Sequence, residues 1–141
     1  MEVKFKKLFP DVKLPIFATP GSAAADVCSY EDITLEPGDR SIVHTGLSCA
    51  VPEGYALLVC SRSGMALAGI IVANQPGIVD SDYRGELGVI MWNTSQVARV
   101  IAKGDRIAQL LLTPVVQFTT TEVNDLGKTE RTGGFGSTGK A

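Results

Sequence analysis

Short apolar runs, broken by turn residues, set the rhythm of this chain. Val3 and Phe5 alternate with polar neighbours and predict an opening strand that Pro10 ends. Residues 15–20 are too proline-flanked for a central strand. Residues 21–27 read as a turn of small residues carrying one carboxylate, Asp26. Strands are predicted over Ile33–Leu35, residues 41–51 and Tyr55–Cys60, separated by Glu36-Pro37-Gly38-Asp39 and Pro52-Glu53-Gly54. Ser61-Arg62-Ser63-Gly64 breaks the pattern before one short helical turn at residues 65–67. Residues 70–73 and 87–92 read as the two arms of a hairpin joined through Pro76-Gly77. Runs at 97–102 and 106–112 flank the turn Lys103-Gly104-Asp105, and a Thr- and Val-rich run follows Pro114.

Turn signals recur roughly every 8–12 residues with β-branched residues between them, and no segment sustains helical periodicity. The expectation is an all-β protein, a jelly-roll-like β barrel. Beyond residue 124 the composition shifts to Gly, Ser, Thr and charge with no apolar face to bury. The chain therefore divides into a β domain over residues 1–126 and a flexible glycine-rich tail over residues 127–141.

Composition narrows the function classes. A chain of 141 residues suffices for one core without disulfide or metal support. Hydrophobic residues make up 45% and charged residues 20%, a charge share low enough to suggest apolar surface for an oligomer interface. The net charge of -2 and the scattered Lys and Arg build no basic stripe for nucleic acid. Cys28, Cys49, Cys60 and the lone His44 supply neither a disulfide framework nor a metal-ligand cluster. The chain reads as reduced and cytoplasmic. Its longest apolar stretch falls far short of the roughly 20 residues of a membrane span, and no signal peptide is expected.

Chemistry concentrates in polar islands. Residues 74–86, N-Q-P-G-I-V-D-S-D-Y-R-G-E, place Asn74, Asp80, Asp82, Tyr83, Arg84 and Glu86 between apolar arms. A structural hairpin needs only its turn residues; the plain alternative is a solvated loop with Arg84 paired to Asp82 or Glu86. In the tail, Gly134, Gly136 and Gly139 fit G-x-G-x-x-G, and residues 134–140 fit most of a P-loop. Both motifs need a following helix to hold phosphate, and only Lys140 and Ala141 follow. What survives is local: glycines that admit an anion to backbone N–H groups, two hydroxyls, Arg131 and the Phe135 ring.

The islands form an ordered set: Ser22 to Asp26, Ser61-Arg62-Ser63-Gly64-Met65, residues 74–86, Gly104 to Gln109, and Arg131 to Gly139. In order and spacing they closely resemble the five motifs of the homotrimeric dUTPase family, deoxyuridine 5′-triphosphate nucleotidohydrolases, over residues 21–139. That resemblance implies a jelly roll assembled as a homotrimer, with sites shared between subunits. The reaction it implies is hydrolysis of dUTP to dUMP and pyrophosphate, which limits uracil incorporation into DNA. Asp80 matches the acid that activates the water attacking the α-phosphorus. Tyr83 matches the ring against the deoxyribose, and Asn74 with Gly77, Ile78 and Val79 matches the hairpin that reads uracil. Arg62, Ser63, Gly64 and Gln109 match phosphate contacts. Arg131 matches a γ-phosphate contact, Phe135 the ring over the base, and Gly136, Ser137 and Thr138 the phosphate wrap. Asp26 matches a motif-one acid of structural rather than catalytic role. Magnesium (Mg2+) is implied as partner of the triphosphate, carried by substrate and water.

Two departures stand out. Ala24-Ala25 occupy the place of the usual Gly-Tyr pair, and the interval from Arg131 to Phe135 is one residue shorter than is common. The rival readings are a dCTP deaminase-like enzyme of the same fold and a non-catalytic jelly-roll binding module.

Overall fold

The computed structural model describes residues 1–139. Alternation of apolar and polar positions produces strands β1 (Lys4–Lys7), β2 (Ala25–Cys28), β3 (Ile33–Leu35), β4 (Arg40–Ala50) and β5 (Tyr55–Cys60). A five-residue helix α1 (Ser63–Leu67) follows, then β6 (Ile70–Val72), β7 (Gly77–Val79), β8 (Glu86–Asn93), β9 (Arg99–Ile101) and β10 (Arg106–Pro114). They form two four-stranded sheets, β1-β4-β8-β6 and β2-β10-β5-β7, with a β3-β9 ribbon. The all-β jelly-roll expectation holds, although the sheets do not close into a barrel.

The inward face of each strand makes the core. On β8, Leu87, Val89, Met91 and Asn93 are buried while Gly88 is exposed, the period-2 pattern of a half-buried strand. They meet Val43 and Leu47 of β4, Leu57 and Val59 of β5, and Ile107 and Leu110 of β10 in one apolar cluster. Each fully buried aliphatic side chain contributes about 1.5–3 kcal/mol. Asn93 is the polar exception: its Nδ2 donates to the carbonyls of Leu35 and Val97, and its Oδ1 accepts from Ser95 N and Oγ. Fully satisfied, it ties β3 to the loop after β8 at little cost.

Several sequence expectations change. Residues 25–27, read as the end of a turn over 21–27 because Ala and Asp are weak strand formers, belong to β2; pairing with β10 overrides the propensity. Gly77–Val79, read as hairpin turn, is β7 at the edge of the second sheet. The Thr- and Val-rich run after Pro114 enters no sheet and is exposed. The strand at 97–102 shortens to β9, and the helical turn at 65–67 begins earlier, at Ser63. Cys28, Cys49 and Cys60 are free. Among the described residues no helix is long and apolar enough to cross a membrane.

An exposed clasp holds the stretch after β1. Phe9 stacks on Tyr30 at 4.8 Å, and Lys103 Nζ sits 4.1 Å from that ring. The Tyr30 hydroxyl donates to Asp11 Oδ1, and Lys103 Nζ pairs with Asp11 Oδ2 at 3.0 Å. Those two donors, the tyrosine foremost, hold the Asp11 carboxyl below its usual value. A depressed carboxyl stabilises the fold above its ordinary value, and the contribution fades as pH falls through the native one. Asp11→Asn should therefore lower Tm slightly at neutral pH, the pair being exposed. That difference should vanish at acid pH below the native value, as melting curves at several pH values will show; a gap independent of pH would remove Asp11 ionisation from stability.

Candidate functional site

The polar hairpin spans the two sheets. Its arms pair as expected, β6 with β8 through Ile70↔Asn93, Ile71↔Trp92 and Val72↔Met91. Between the arms the chain crosses to the other sheet, where β7 pairs with β5 through Leu57↔Val79 and Val59↔Gly77. A slot of about 190 Å³ opens between β7 and β8. Asn74, Gly77, Ile78, Val79, Asp80 and Tyr83 line it together with Glu86. A Cβ at residue 77 would stand 3.3 Å from Val59 Cβ and 3.4 Å from Asn74 Nδ2, so glycine lets β7 lie close to both. Asp80 and Tyr83 are exposed at the rim, linked by Tyr83 N–H donating to the Asp80 carbonyl at 3.2 Å. Arg84 pairs with neither Asp82 nor Glu86 but donates to the carbonyls of Ser81 and Tyr83.

A second cavity, about 270 Å³, collects Arg62, Ser63, Gly64 and Gln109 beside Ser22 and Asp26. Asp26 is nine-tenths buried, its Oδ1 3.2 Å from Arg62 Nε and its Oδ2 3.5 Å from Arg106 NH1. A buried carboxylate between two guanidinium groups is a positioning element; it fixes Arg62 while leaving that side chain further N–H donors for an anion. Gln109 Nε2 donates to the Ser61 carbonyl at 2.9 Å, holding the segment that carries Arg62.

Sequence reasoning assigned no role to Ser61 or Gln75. Ser61 N–H donates to Gln75 Oε1 at 2.6 Å, and Ser61 Oγ accepts from Val72 N–H at 2.9 Å. With Gln109, these bonds lock the second, third and fourth islands together. The signal was absent because two of the three bonds involve the Ser61 main chain, which any residue type carries.

Among the described residues, the tail meets neither cavity. Arg131 Nε donates to the Gly133 carbonyl at 3.0 Å, and Ser137 and Gly139 N–H close turns onto Gly134 and Gly136. Phe135 is fully exposed at a left-handed φ of 53°. Gly136, Ser137 and Thr138 are exposed beside it. Lys140 and Ala141, the end of the expected tail, lie outside the described residues.

A cradle holding one ion-paired arginine and a narrow slot with backbone edges, on a jelly roll, can offer a ligand an anion contact and hydrogen-bonding backbone. A family model described as dUTPase matches residues 11–139. A deoxyuridine 5′-triphosphate nucleotidohydrolase of Nautilia profundicola is 46% identical, covering 99% of this chain and 100% of its own. That of Leifsonia xyli subsp. xyli is 49% identical, covering 90% and 86%. The dUTPase of Staphylococcus bacteriophage 80alpha, solved with dUpNHpp, superposes with a TM-score of 0.90 at 26% identity, covering 98% of each chain. A mutant dUTPase from phage phi11 of S. aureus, which shows coordination of a structural Mg(II) ion, shares the fold: TM-score 0.83, 22% identity, 91% of this chain and 100% of that one. The chain belongs to the dUTPase family, and it is an enzyme that hydrolyses dUTP.

Proposed function

We propose that the chain works as a homotrimer whose sites draw on more than one copy. One observation carries this: within a single chain the slot and the cradle share no lining residue, and the described tail residues line neither. A nucleotide needs base, sugar and phosphate contacts at once, so a closed symmetric assembly supplies from neighbours what one chain holds apart.

In this reading Asn74 and the backbone of Gly77, Ile78 and Val79 hydrogen-bond the uracil edge in the slot. A base read by a backbone hairpin, with β7 drawn close to Val59 and Asn74 at Gly77, leaves little room for a 5-methyl group. Tyr83 packs against the deoxyribose where a 2′-hydroxyl would clash. Arg62, Ser63 and Gly64 take phosphate oxygens, and Arg131, Gly136, Ser137 and Thr138 close over the γ end with Phe135 over the base. Asp80, at the slot's rim, takes the proton of the water that attacks the α-phosphorus, with pyrophosphate leaving. An exposed carboxylate serves as base through placement more than basicity.

Magnesium enters this reading as the partner of the substrate's phosphates; among the described residues no group of three or more His, Cys, Asp or Glu could hold an ion. Bound with the triphosphate, Mg2+ would be held by phosphate oxygens and water and would offset their charge. Cytoplasmic placement completes the proposal, consistent with three free cysteines.

Mixing two inactive variants tests the shared site. Asp80→Asn and Arg131→Ala chains are combined in equal amounts and scrambled. If one site takes these residues from different chains, about a quarter of sites receive both intact, one half times one half for random assembly. Pyrophosphate release should recover to roughly that share of wild type. Verified mixed assemblies without recovery would place both residues of a site on one chain.

A further inference from the structure

The Tyr83 ring is held more firmly than an exposed residue on a loop requires. Its hydroxyl donates to the Glu86 carbonyl at 2.7 Å. Glu86 is in turn anchored to β4: Oε1 lies 3.0 Å from His44 Nδ1, and Oε2 accepts the Gly46 N–H at 2.9 Å. The reason lies in the β4–β8 ladder, where His44 pairs with Gly88 but Ser48 pairs with Glu86, leaving a bulge on β4. Gly46, at φ 70°, lies inside that bulge, and the Glu86 carboxylate accepts its N–H in place of a ladder carbonyl. The bulge is rigid in its own right. Thr45 Oγ1 donates to the Leu87 carbonyl, and Leu8 N–H donates to the Gly46 carbonyl.

A third constraint is an absent side chain. A Cβ at Gly85 would stand 2.5 Å from Tyr83 Oη and 2.7 Å from Cζ. The φ at Gly85 is not left-handed, so glycine is needed here for the space the ring occupies.

We propose that Gly85 and Glu86 are specificity-determining positioning residues: they form a seat that fixes the Tyr83 ring, and so set how strictly the sugar is read. A steric wall excludes a hydroxyl only as well as it resists moving aside. Glu86 supplies that resistance by joining the ring, through its carbonyl, to the β4 bulge, through its carboxylate. Gly85 lets the ring settle against the backbone. The inference rests on the reading of Tyr83 as the wall against the sugar.

The test is the ratio of kcat/KM for UTP to that for dUTP, read as pyrophosphate release. Tyr83→Ala tests the wall itself and should raise the ratio roughly 10- to 200-fold, the range for losing one steric or packing determinant. Tyr83→Phe keeps the ring but removes its tie to Glu86. It should raise the ratio about 2- to 12-fold, the range of one hydrogen bond. Gly85→Ala displaces the ring and should act in the same direction, as should Glu86→Ala. Glu86→Gln keeps an acceptor for Gly46 and should hold the wild-type ratio. Tyr83→Phe leaves β4 untouched, so the test survives if Glu86→Ala fails to fold. A raised ratio in Tyr83→Ala with wild-type ratios in Tyr83→Phe and Gly85→Ala overturns the seat and leaves the wall standing. An unchanged ratio in Tyr83→Ala overturns the wall, and the seat with it.

Discussion

Asp80→Asn should lower kcat for dUTP hydrolysis by about 10²–10⁴-fold, the usual share of general-base catalysis. The change is nearly isosteric, and the hairpin has no reason to move. Asp80 contributes its carbonyl, not its carboxylate, to the bond with Tyr83 N–H, and that carbonyl survives substitution. β7, which positions the residue, is held by its ladder to β5. Binding of a non-hydrolysable dUTP analogue should stay close to wild type, because the lost function is proton transfer and not a ground-state contact. Single-turnover pyrophosphate release separates the two steps. A variant that turns over at near wild-type rate takes Asp80 out of the chemistry and leaves the exposed Asp82 to be tested in its place.

The second large effect is expected from a chain truncated after Gly127. Its kcat/KM should drop by about 10²–10³-fold, comparable to losing a charged stabilising contact to the reacting group. Its Tm should match that of the full chain. The asymmetry follows from where the tail's bonds go: Thr129, Arg131, Ser137 and Gly139 bond only to other tail residues, and all the described residues beyond Gly127 are exposed. Nothing buried is lost, so stability has no reason to change. Unchanged kinetics in the truncated enzyme would exclude Arg131 and Phe135 from the site; a lowered Tm would show that the tail docks on the β domain.

Local patterning carried the frame and failed where tertiary partners decide. β5 was legible to the residue because Tyr55–Cys60 is a continuous apolar run between turn residues. β2 was not, because Ala25 and Asp26 look like loop residues until β10 and two arginines lie beside them. β7 was hidden by its length: three residues following a proline give no period to detect. Arg62, Ser63, Gln109, Asn74, Asp80 and Tyr83, which line the slot or the cradle, could be named from their motifs, since each carries a distinctive side chain. Their supports could not. Glu86 meets Gly46 across 40 positions, and Gln109 meets Ser61 across 48, through main-chain groups that leave no mark on residue type.

If the tail closes over the site as proposed, its separation from the domain also bears on the kinetics of closing. Seventeen positions separate Pro114, the last strand residue, from Arg131. Taken as an upper bound with the whole interval flexible, that length would span roughly 20–25 Å, at about 5–6 Å times the square root of its length. Held on so short a leash, a closing tail would act as a ligand present at a local concentration on the order of millimolar. It needs only feeble intrinsic affinity to be seated for much of the time, and feeble affinity means rapid departure. An element tethered in this way can close over each triphosphate without becoming the slow step in releasing what is left of it.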